Sequence, residues 1–340
     1  MISGSLTGVH SRISGVGSYL PPRILKNSDL SSFMETSDEW IRSRTGIEQR
    51  HWVTGTTATS DLALEAARVA LADAHLSADQ IDLILLATTS PDYDLPPAAC
   101  FLQRKLGLNN IPAMDVRQAC ASFVYGMSIA DAFIKTGTYK NILLVGAETQ
   151  SKALDKSTRG RDMAVLFGDG AGAIVLSASD DPFSGRIFST HLHTDGSHAE
   201  DLWIPSPSCA ADNERMSRES FERGDHFPRM EGKVVFQNAV KRMPEAIDEA
   251  LQANGMKMED IDLFLFHQAN LRINEMVAKR LGIPDSKVFN TIQKYGNTTA
   301  ATLPLGMDTA LRAGKLKRGM TVAMAAFGSG FSWGSTIFRY

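Results

Sequence analysis

The chain has 340 residues, 43% of them hydrophobic and 21% charged, which is enough apolar material for a substantial core spread over two packed units. A net charge of -3 and a pI near 6.3 provide no large positive field of the kind that holds a nucleic-acid backbone, so nucleic acid is not an expected partner. No segment approaches the roughly 20 apolar residues of a membrane span, and Cys100, Cys120 and Cys209 are an odd set without a C-x-x-C pair, so no membrane span, disulfide framework or zinc site is expected.

The opening stretch MISGSLTGVHSRISGVGSYL has no Lys/Arg head leading into an unbroken apolar run, and a cytosolic location is the default reading. Further on, ALADAHLSADQIDLILLA (70–87) reads as the end of an amphipathic helix, a polar turn and a short buried strand. Cys120 follows the apolar stretch IPAMDV and precedes ASFVYGMSIADAFIKTG, whose apolar positions suit a buried helix. A thiol at a helix N-terminus meets unpaired N–H groups and the positive end of the dipole, which favour thiolate; Arg117 adds positive charge nearby. Cys100 and Cys209 read as ordinary packing or surface cysteines.

NILLVGAET (141–149) has the pattern of a central strand. GDGAGA (168–173) looks like a dinucleotide-binding run, but it leads into the strand-like AIVLSAS, not a helix, so close packing between strands explains its glycines better. The turn-rich SASDDPFSG marks a divide near residue 180, and SPSCAADNERMSRESFERGDHFPR (206–229) is long enough to be a functional loop or mobile cover.

ALQANGMKMEDIDLFLFH (250–267) repeats the pattern of 70–87, since 250 − 70 and 261 − 81 both equal 180. TVAMAAFGS (321–329) stands over 141–149 at the same offset, and LGIPDSKVFNT is a looser echo of LGLNNIPAMDV. These echoes predict a duplicated α/β protein with one half in 1–180 and the other in 181–340.

His267 ends the strand IDLFLF just before the helical HQANLRINEMVAKRLG, at the strand edge where open α/β sheets gather ligands. Asn297 lies in a Gly-Asn-Thr turn entering a helix of small residues. The C-terminal Gly328-Ser329-Gly330 loop serves either as an oxyanion hole or as a plain hairpin turn.

In order and spacing, DVRQACASFVYG, HQANLRI, YGNTTAA and FGSGFSWGS resemble β-ketoacyl-acyl carrier protein synthase III, as do GSYLPPRILKNSDL, TSDEWIRSRTGI, FGDGAGA and STHLHTDGS. The likeness spans nearly the whole chain. It implies a thiolase fold, with duplicated α/β halves forming a layered α-β-α-β-α sandwich, and a Cys120–His267–Asn297 triad. It further implies an acyltransferase that condenses an acyl-CoA with malonyl-acyl carrier protein, losing CO2, to start fatty-acid synthesis. The backbone N–H groups of Cys120 and Ser329 would form the oxyanion hole, and His267 and Asn297 would act as a neutral donor pair on the enolate. Trp40 and Arg159 would sandwich the adenine of CoA beside Thr36, and Gly232 and Asn270 would line the pantetheine channel.

Arg272, Lys279 and Arg280 match positions where the acyl carrier protein docks, though solvated helix charges read equally well. The resemblance also implies a cytoplasmic homodimer that needs no metal or redox cofactor. Several positions depart from the family's usual pattern, namely Arg117-Gln118, Ala121-Ser122, Ser329, and Leu95 where a phenylalanine often closes the acyl pocket across the dimer. The smaller Leu95 leads to an expected primer longer than acetyl. A paralogue serving a secondary-metabolite pathway, an acyl-binding scaffold and a thioesterase are the competing readings.

Overall fold

The computed structural model describes residues 8–181, 183–211 and 214–340. Residues 1–7 of the opening stretch, Pro182 in the divide and residues 212–213 of the long polar segment lie outside the described residues.

The first sheet contains strands β1 (His10–Tyr19), β2 (Leu83–Ala87), β3 (Ala113–Val116), β4 (Asn141–Glu148) and β5 (Gly170–Ser179) in the order β1-β5-β4-β2-β3. The second contains β6 (Arg186–Thr194), β7 (Leu263–Phe266), β8 (Thr321–Gly328) and β9 (Ser332–Arg339) in the order β7-β8-β9-β6. In each sheet a shorter strand runs parallel to a longer one at one side, β2 with β4 and β7 with β8, and the pairs across the other side are antiparallel. Where β3 pairs parallel with β2, a single parallel bridge joins Phe264 to Val288 in the second sheet.

The offset of 180 seen in the sequence therefore recurs in the hydrogen bonds. The N–H of Asp82 donates to Asn141 O at 2.9 Å and that of Asp262 to Thr321 O at 2.9 Å. Each aspartate carboxylate returns the contact, accepting the N–H of Asn141 at 2.9 Å and of Thr321 at 2.8 Å.

Five layers result from which faces are apolar. Helix α1 (Thr59–Asp73) buries its alanine-rich face on the outer side of the first sheet. Helix α2 (Ser122–Lys135) and, from the other half, a helix of residues Thr302–Arg312 lie between the two sheets, where Phe123, Met127, Leu303 and Met307 are fully or nearly fully buried. Helix α3 (Gly232–Ala253) and helix α4 (Leu271–Leu281) cover the outer face of the second sheet; the helix Thr302–Arg312 is hereafter α5. This is the layered α-β-α-β-α sandwich expected. Leu, Ile, Val and Ala run almost unbroken along the central strands because both faces of each sheet are covered.

The glycines of 168–173 pack against backbone of the second half more than strand against strand. A Cβ at Gly172 would lie 2.6 Å from Leu305 N in α5, and one at Gly168 would lie 2.2 Å from Tyr295 O. The long polar segment is an excursion closed at its base by a two-residue ribbon, Leu202–Trp203 against Arg229–Met230, and it contains a short helix, Arg218–Glu222. No described helix is long and apolar enough to cross a membrane.

Candidate active site

Cys120, His267 and Asn297 come together on one cavity of about 110 Å³. Its walls are mostly apolar and come from α3 (Val235, Phe236, Met243), from Phe327, and from the ribbon residues Leu202 and Met230. Of α3 the sequence had pointed only to Gly232, its first residue, which also lines the cavity.

Cys120 sits in a 3₁₀ turn, Ala119–Ala121, that runs into α2, and Ala119 is held at φ 46°. The end of β8 packs directly on this turn: a Cβ at Gly328 would lie 2.7 Å from Cys120 Cβ and 2.8 Å from Cys120 N. Only glycine fits there. Gly328-Ser329-Gly330 does form the hairpin between β8 and β9, with Gly328 paired to Ser332, and Gly328 also lines the cavity. Ser329 is not among the lining residues, and its hydroxyl donates to Leu202 O. The expectation of a resting thiolate is corrected. Burial, followed by the charge of Glu148, pushes the Cys120 thiol up to about 12, so desolvation outweighs the position at the helix start.

His267 continues β7, its N–H donating to Ala325 O at 2.9 Å, and this delivers the ring to the cavity. Its Nδ1 lies 2.7 Å from Thr302 Oγ1, and that hydroxyl donates its proton to Thr299 O at 3.0 Å. Nδ1 is therefore the donor and Nε2 the lone-pair acceptor, an assignment inferred from the network. Nε2 is buried without a hydrogen-bond partner among the described residues. Burial pushes the imidazole down to about 3, so it is neutral at rest. The expected donor pair is thus modified: at rest His267 presents an acceptor, and it becomes a donor at Nε2 only after gaining a proton.

Asn297 is oriented in the opposite sense. Its Oδ1 accepts the N–H of Thr299 at 2.8 Å, which leaves the Nδ2 amide as the donating end at the cavity. Its backbone is fixed between Leu166 O, at 2.8 Å, and the N–H of Gly168, at 3.0 Å.

Glu148 and Thr302 are two further residues of this region that the sequence did not single out. Glu148 ends β4 fully buried and accepts from Ser90 Oγ at 2.5 Å, from the N–H groups of Thr89 and Ser90 at 3.1 Å each, and from Gln150 Nε2 at 3.1 Å. Burial pushes it up to about 7 against these hydrogen bonds. A lone carboxylate closing the apolar run ILLVGAE was the available signal.

The residues assigned to CoA separate into two groups. Gly232 and Asn270 line the same cavity as the triad. Asn270 also caps α4, its Oδ1 accepting the Arg272 N–H at 3.0 Å, and donates from Nδ2 to Arg44 O at 3.0 Å. Trp40, on the helix Asp38–Thr45, has the guanidinium groups of Arg44 at 4.4 Å and Arg161 at 4.7 Å from its ring centroid. Arg159 instead pairs with Asp155 at 2.6 Å and lies 5.9 Å from the Phe227 centroid. Trp40 and Arg159 are therefore not stacked on a common space in this structure. Thr36 Oγ1 is buried without a hydrogen-bond partner among the described residues. Arg272, Lys279 and Arg280 are exposed on α4. Leu95 is 83% exposed and lies away from the cavity of its own chain.

A cysteine, an imidazole and a carboxamide drawn from both halves of a duplicated α/β sandwich define a condensing enzyme of the thiolase fold. Residues 114–196 match the family 3-oxoacyl-[acyl-carrier-protein] synthase III, and residues 251–340 match its C-terminal part. The chain is 47% identical to the β-ketoacyl-[acyl-carrier-protein] synthase III of Xanthomonas campestris pv. campestris, over 98% of this chain and 99% of that protein. The solved 3-oxoacyl-[acyl-carrier-protein] synthase III of Aquifex aeolicus superposes with a TM-score of 0.88 at 41% identity, covering 97% of this chain and all of the other. The priming β-ketosynthase of the R1128 polyketide pathway superposes at 0.86 with 31% identity, covering 97% and 96%. The chain belongs to the β-ketoacyl-acyl carrier protein synthase III family and is an acyltransferase.

Thr302→Val keeps the shape of α5 but leaves Nδ1–H of His267 without its acceptor. Condensation should fall by roughly 10- to 100-fold, the scale for losing a hydrogen bond that orients an imidazole in metal sites, while the melting temperature of folded variant stays close to wild type. Unchanged turnover would show that Thr302 does not set the tautomer.

His267 and Glu148 also set opposing pH dependences of stability. His267 is depressed in the fold, so its contribution is complete above about 6.5 and is lost as pH falls toward 3. Glu148 is raised in the fold, so its contribution is complete below 4.5 and is lost as pH rises toward 7. Between these two unfolded-state values the slopes cancel. In Glu148→Gln the His267 slope remains, and stability to urea should rise with pH across that window by roughly 1 kcal/mol per unit more than in wild type. Parallel curves for the two proteins would contradict the assignment.

Proposed function

We propose that the chain condenses an acyl-CoA primer with malonyl-acyl carrier protein, giving β-ketoacyl-acyl carrier protein, CO2 and CoA, as the initiating step of fatty-acid synthesis. The observation that carries this reading is the opposite orientation of two neighbouring polar groups at one cavity: a lone pair at His267 Nε2 and a donor at Asn297 Nδ2. An acceptor and a donor beside a buried thiol suit a reaction that first removes a proton and then creates oxyanion charge.

In the first half-reaction the Cys120 thiol gives its proton to His267 Nε2 as Sγ attacks the acyl-CoA carbonyl. The tetrahedral oxyanion is held by the backbone N–H groups of Cys120 and Ser329, and collapse expels CoA as thiolate, which takes a proton from solvent. His267 now carries an N–H at Nε2. In the second half-reaction the malonyl thioester oxygen receives hydrogen bonds from His267 Nε2 and Asn297 Nδ2, and the C–C bond to the carboxylate breaks to release CO2. The enolate carbon attacks acyl-Cys120. Collapse of this second intermediate expels the Cys120 thiolate, which recovers its proton from His267. No metal or redox group enters these steps.

On this reading Gly232 and Asn270 line the pantetheine channel, and Trp40 receives the nucleotide end of CoA beside Thr36; the guanidinium groups over Trp40 are those of Arg44 and Arg161, not that of Arg159. Arg272, Lys279 and Arg280 present exposed cations to the acidic carrier protein. The enzyme works as a cytoplasmic homodimer in which Leu95 of one protomer closes the acyl pocket of its partner; the exposure of Leu95 and the position of β3 at the edge of its sheet support the homodimer.

Mixing with acyl-CoA should add one acyl mass to the wild-type protein and none to Cys120→Ala. Asn297→Ala should still acylate, while product formation from malonyl-acyl carrier protein falls by about 100-fold or more, the usual cost of one oxyanion donor. Equal loss of both half-reactions in a folded Asn297→Ala protein would overturn the role given to Asn297, and free acid in place of ketoacyl product would favour a thioesterase.

A second reading, priming of a specialised pathway, draws support from the likeness to the R1128 priming ketosynthase and from Leu95. Because leucine fills less of the pocket than phenylalanine, butyryl- through octanoyl-CoA should be turned over faster than acetyl-CoA. Assays across chain lengths, with malonyl-acyl carrier protein and malonyl-CoA in parallel, check this. Equal or better use of acetyl-CoA would remove the longer-primer expectation.

A further inference from the structure

The chemistry above makes no use of Glu148, although its carboxylate touches the turn on which the site depends. Gly146 and Glu148 lie two residues apart on β4 and so face the same way. That face meets the 3₁₀ turn Thr299–Ala301, which stands between Asn297 and Thr302. A Cβ at Gly146 would lie 2.4 Å from Ala300 O, so glycine admits the turn's backbone, and Glu148 Oε1 then accepts the N–H of Ala300 at 3.4 Å.

The turn needs holding. Thr299, a β-branched residue, is at φ 49°, and its buried Oγ1 has no hydrogen-bond partner among the described residues. Such a conformation persists only where its surroundings enforce it. Asn297 Oδ1 on the Thr299 N–H is one restraint, and Glu148 on the Ala300 N–H is the next. The other donors to Glu148 all come from the segments after β2 and β4, so the carboxylate joins the turn to the first half of the protein.

The duplication supports a special status for this contact. Ala300 stands 180 residues after Cys120, Thr299 180 after Ala119, and Gly328 180 after Glu148. Ala119 and Thr299 share a positive φ, 46° and 49°. The end of β8, at Gly328, approaches the N–H of Cys120, and the end of β4, at Glu148, accepts the N–H of Ala300. Each half thus holds the other's turn, and in one case a carboxylate performs the holding.

We propose that Glu148 is a positioning residue for condensation: by holding the Thr299–Ala301 turn against the first half, it sets where Asn297 and the Thr302–His267 pair meet the enolate. The inference rests on the function proposed above. When ionised, Glu148 also opposes loss of the Cys120 proton, which supplies a readout that packing alone would not move.

The test uses the full chain as wild type, Glu148→Gln and Glu148→Ala, with Cys120 acylation followed by intact mass from pH 5.5 to 9 and condensation followed as kcat and KM for malonyl-acyl carrier protein. In Glu148→Ala, kcat should drop about tenfold or more with KM within about twofold, since the loss falls on the transition state. Glu148→Gln, which keeps one acceptor oxygen, should lose less. In both variants the rising limb of the acylation profile should move to lower pH. Acylation and condensation falling in parallel with unshifted profiles, or wild-type kcat in both variants, would overturn the proposal. If Glu148→Ala fails to fold, the Gln variant decides by the same two readouts. A wild-type protein that forms no Cys120 adduct or no ketoacyl product would sink the function reading and this inference together, whereas active wild type with indifferent variants would sink this inference alone.

Discussion

His267 enters the cavity with Nδ1 bonded to Thr302 and Nε2 without a hydrogen-bond partner among the described residues, and the state of the ring depends on its burial. In water the free nitrogen would be solvated and the ring would titrate near its ordinary value. Surrounded by Phe236, Met243, Phe327 and the ribbon residues, it stays neutral and retains an unused lone pair. The same burial keeps Cys120 a thiol. Cysteine and histidine therefore rest as a neutral pair, and charge created there has to be met by fixed donors such as Asn297 Nδ2.

The duplicated architecture explains how three residues distant in sequence reach so small a space. Each half ends a central strand, β4 or β8, against the 3₁₀ turn that begins the other half's buried helix. These reciprocal contacts place the Cys120 turn and the Asn297–Thr302 turn side by side between the sheets. The equivalent positions then diverge in chemistry. Position 120 is a thiol where position 300 is alanine, and position 148 is a carboxylate where position 328 is glycine. Position 267 is the imidazole, and its counterpart at 87 is alanine. Symmetry supplies the scaffold, and the site comes from breaking it.

What the sequence disclosed follows the same division. The strands, the repeat offset and the three reactive side chains were legible because each sits at a pattern boundary, where an apolar strand or a Gly-Asn-Thr turn gives way to a helix. The ionisation of Cys120 was misjudged because position at a helix start is visible in one dimension, whereas depth of burial depends on β8 and α3, which come from elsewhere in the chain. The His267 tautomer was out of reach for a similar reason: it depends on a hydroxyl 35 residues away and on the carbonyl that hydroxyl meets. The glycines of 168–173 were correctly separated from a dinucleotide loop, yet their packing partners turned out to be α5 and Tyr295, on the other side of the duplication.

The floor and the mouth of the site answer to different physical demands. On the floor His267 and Asn297 are buried and fixed by hydrogen bonds, and movement there would break those bonds where the interior solvates poorly. Around Trp40, by contrast, Arg44 and Arg161 lie over the ring in cation–π contacts of small net energy, and on the proposed reading these are what a nucleotide displaces. On the proposed reading Leu95 adds a third demand, because it would complete the pocket from a partner protomer. Primer length would then be set by the assembly, while the bond-forming chemistry stays within a single chain.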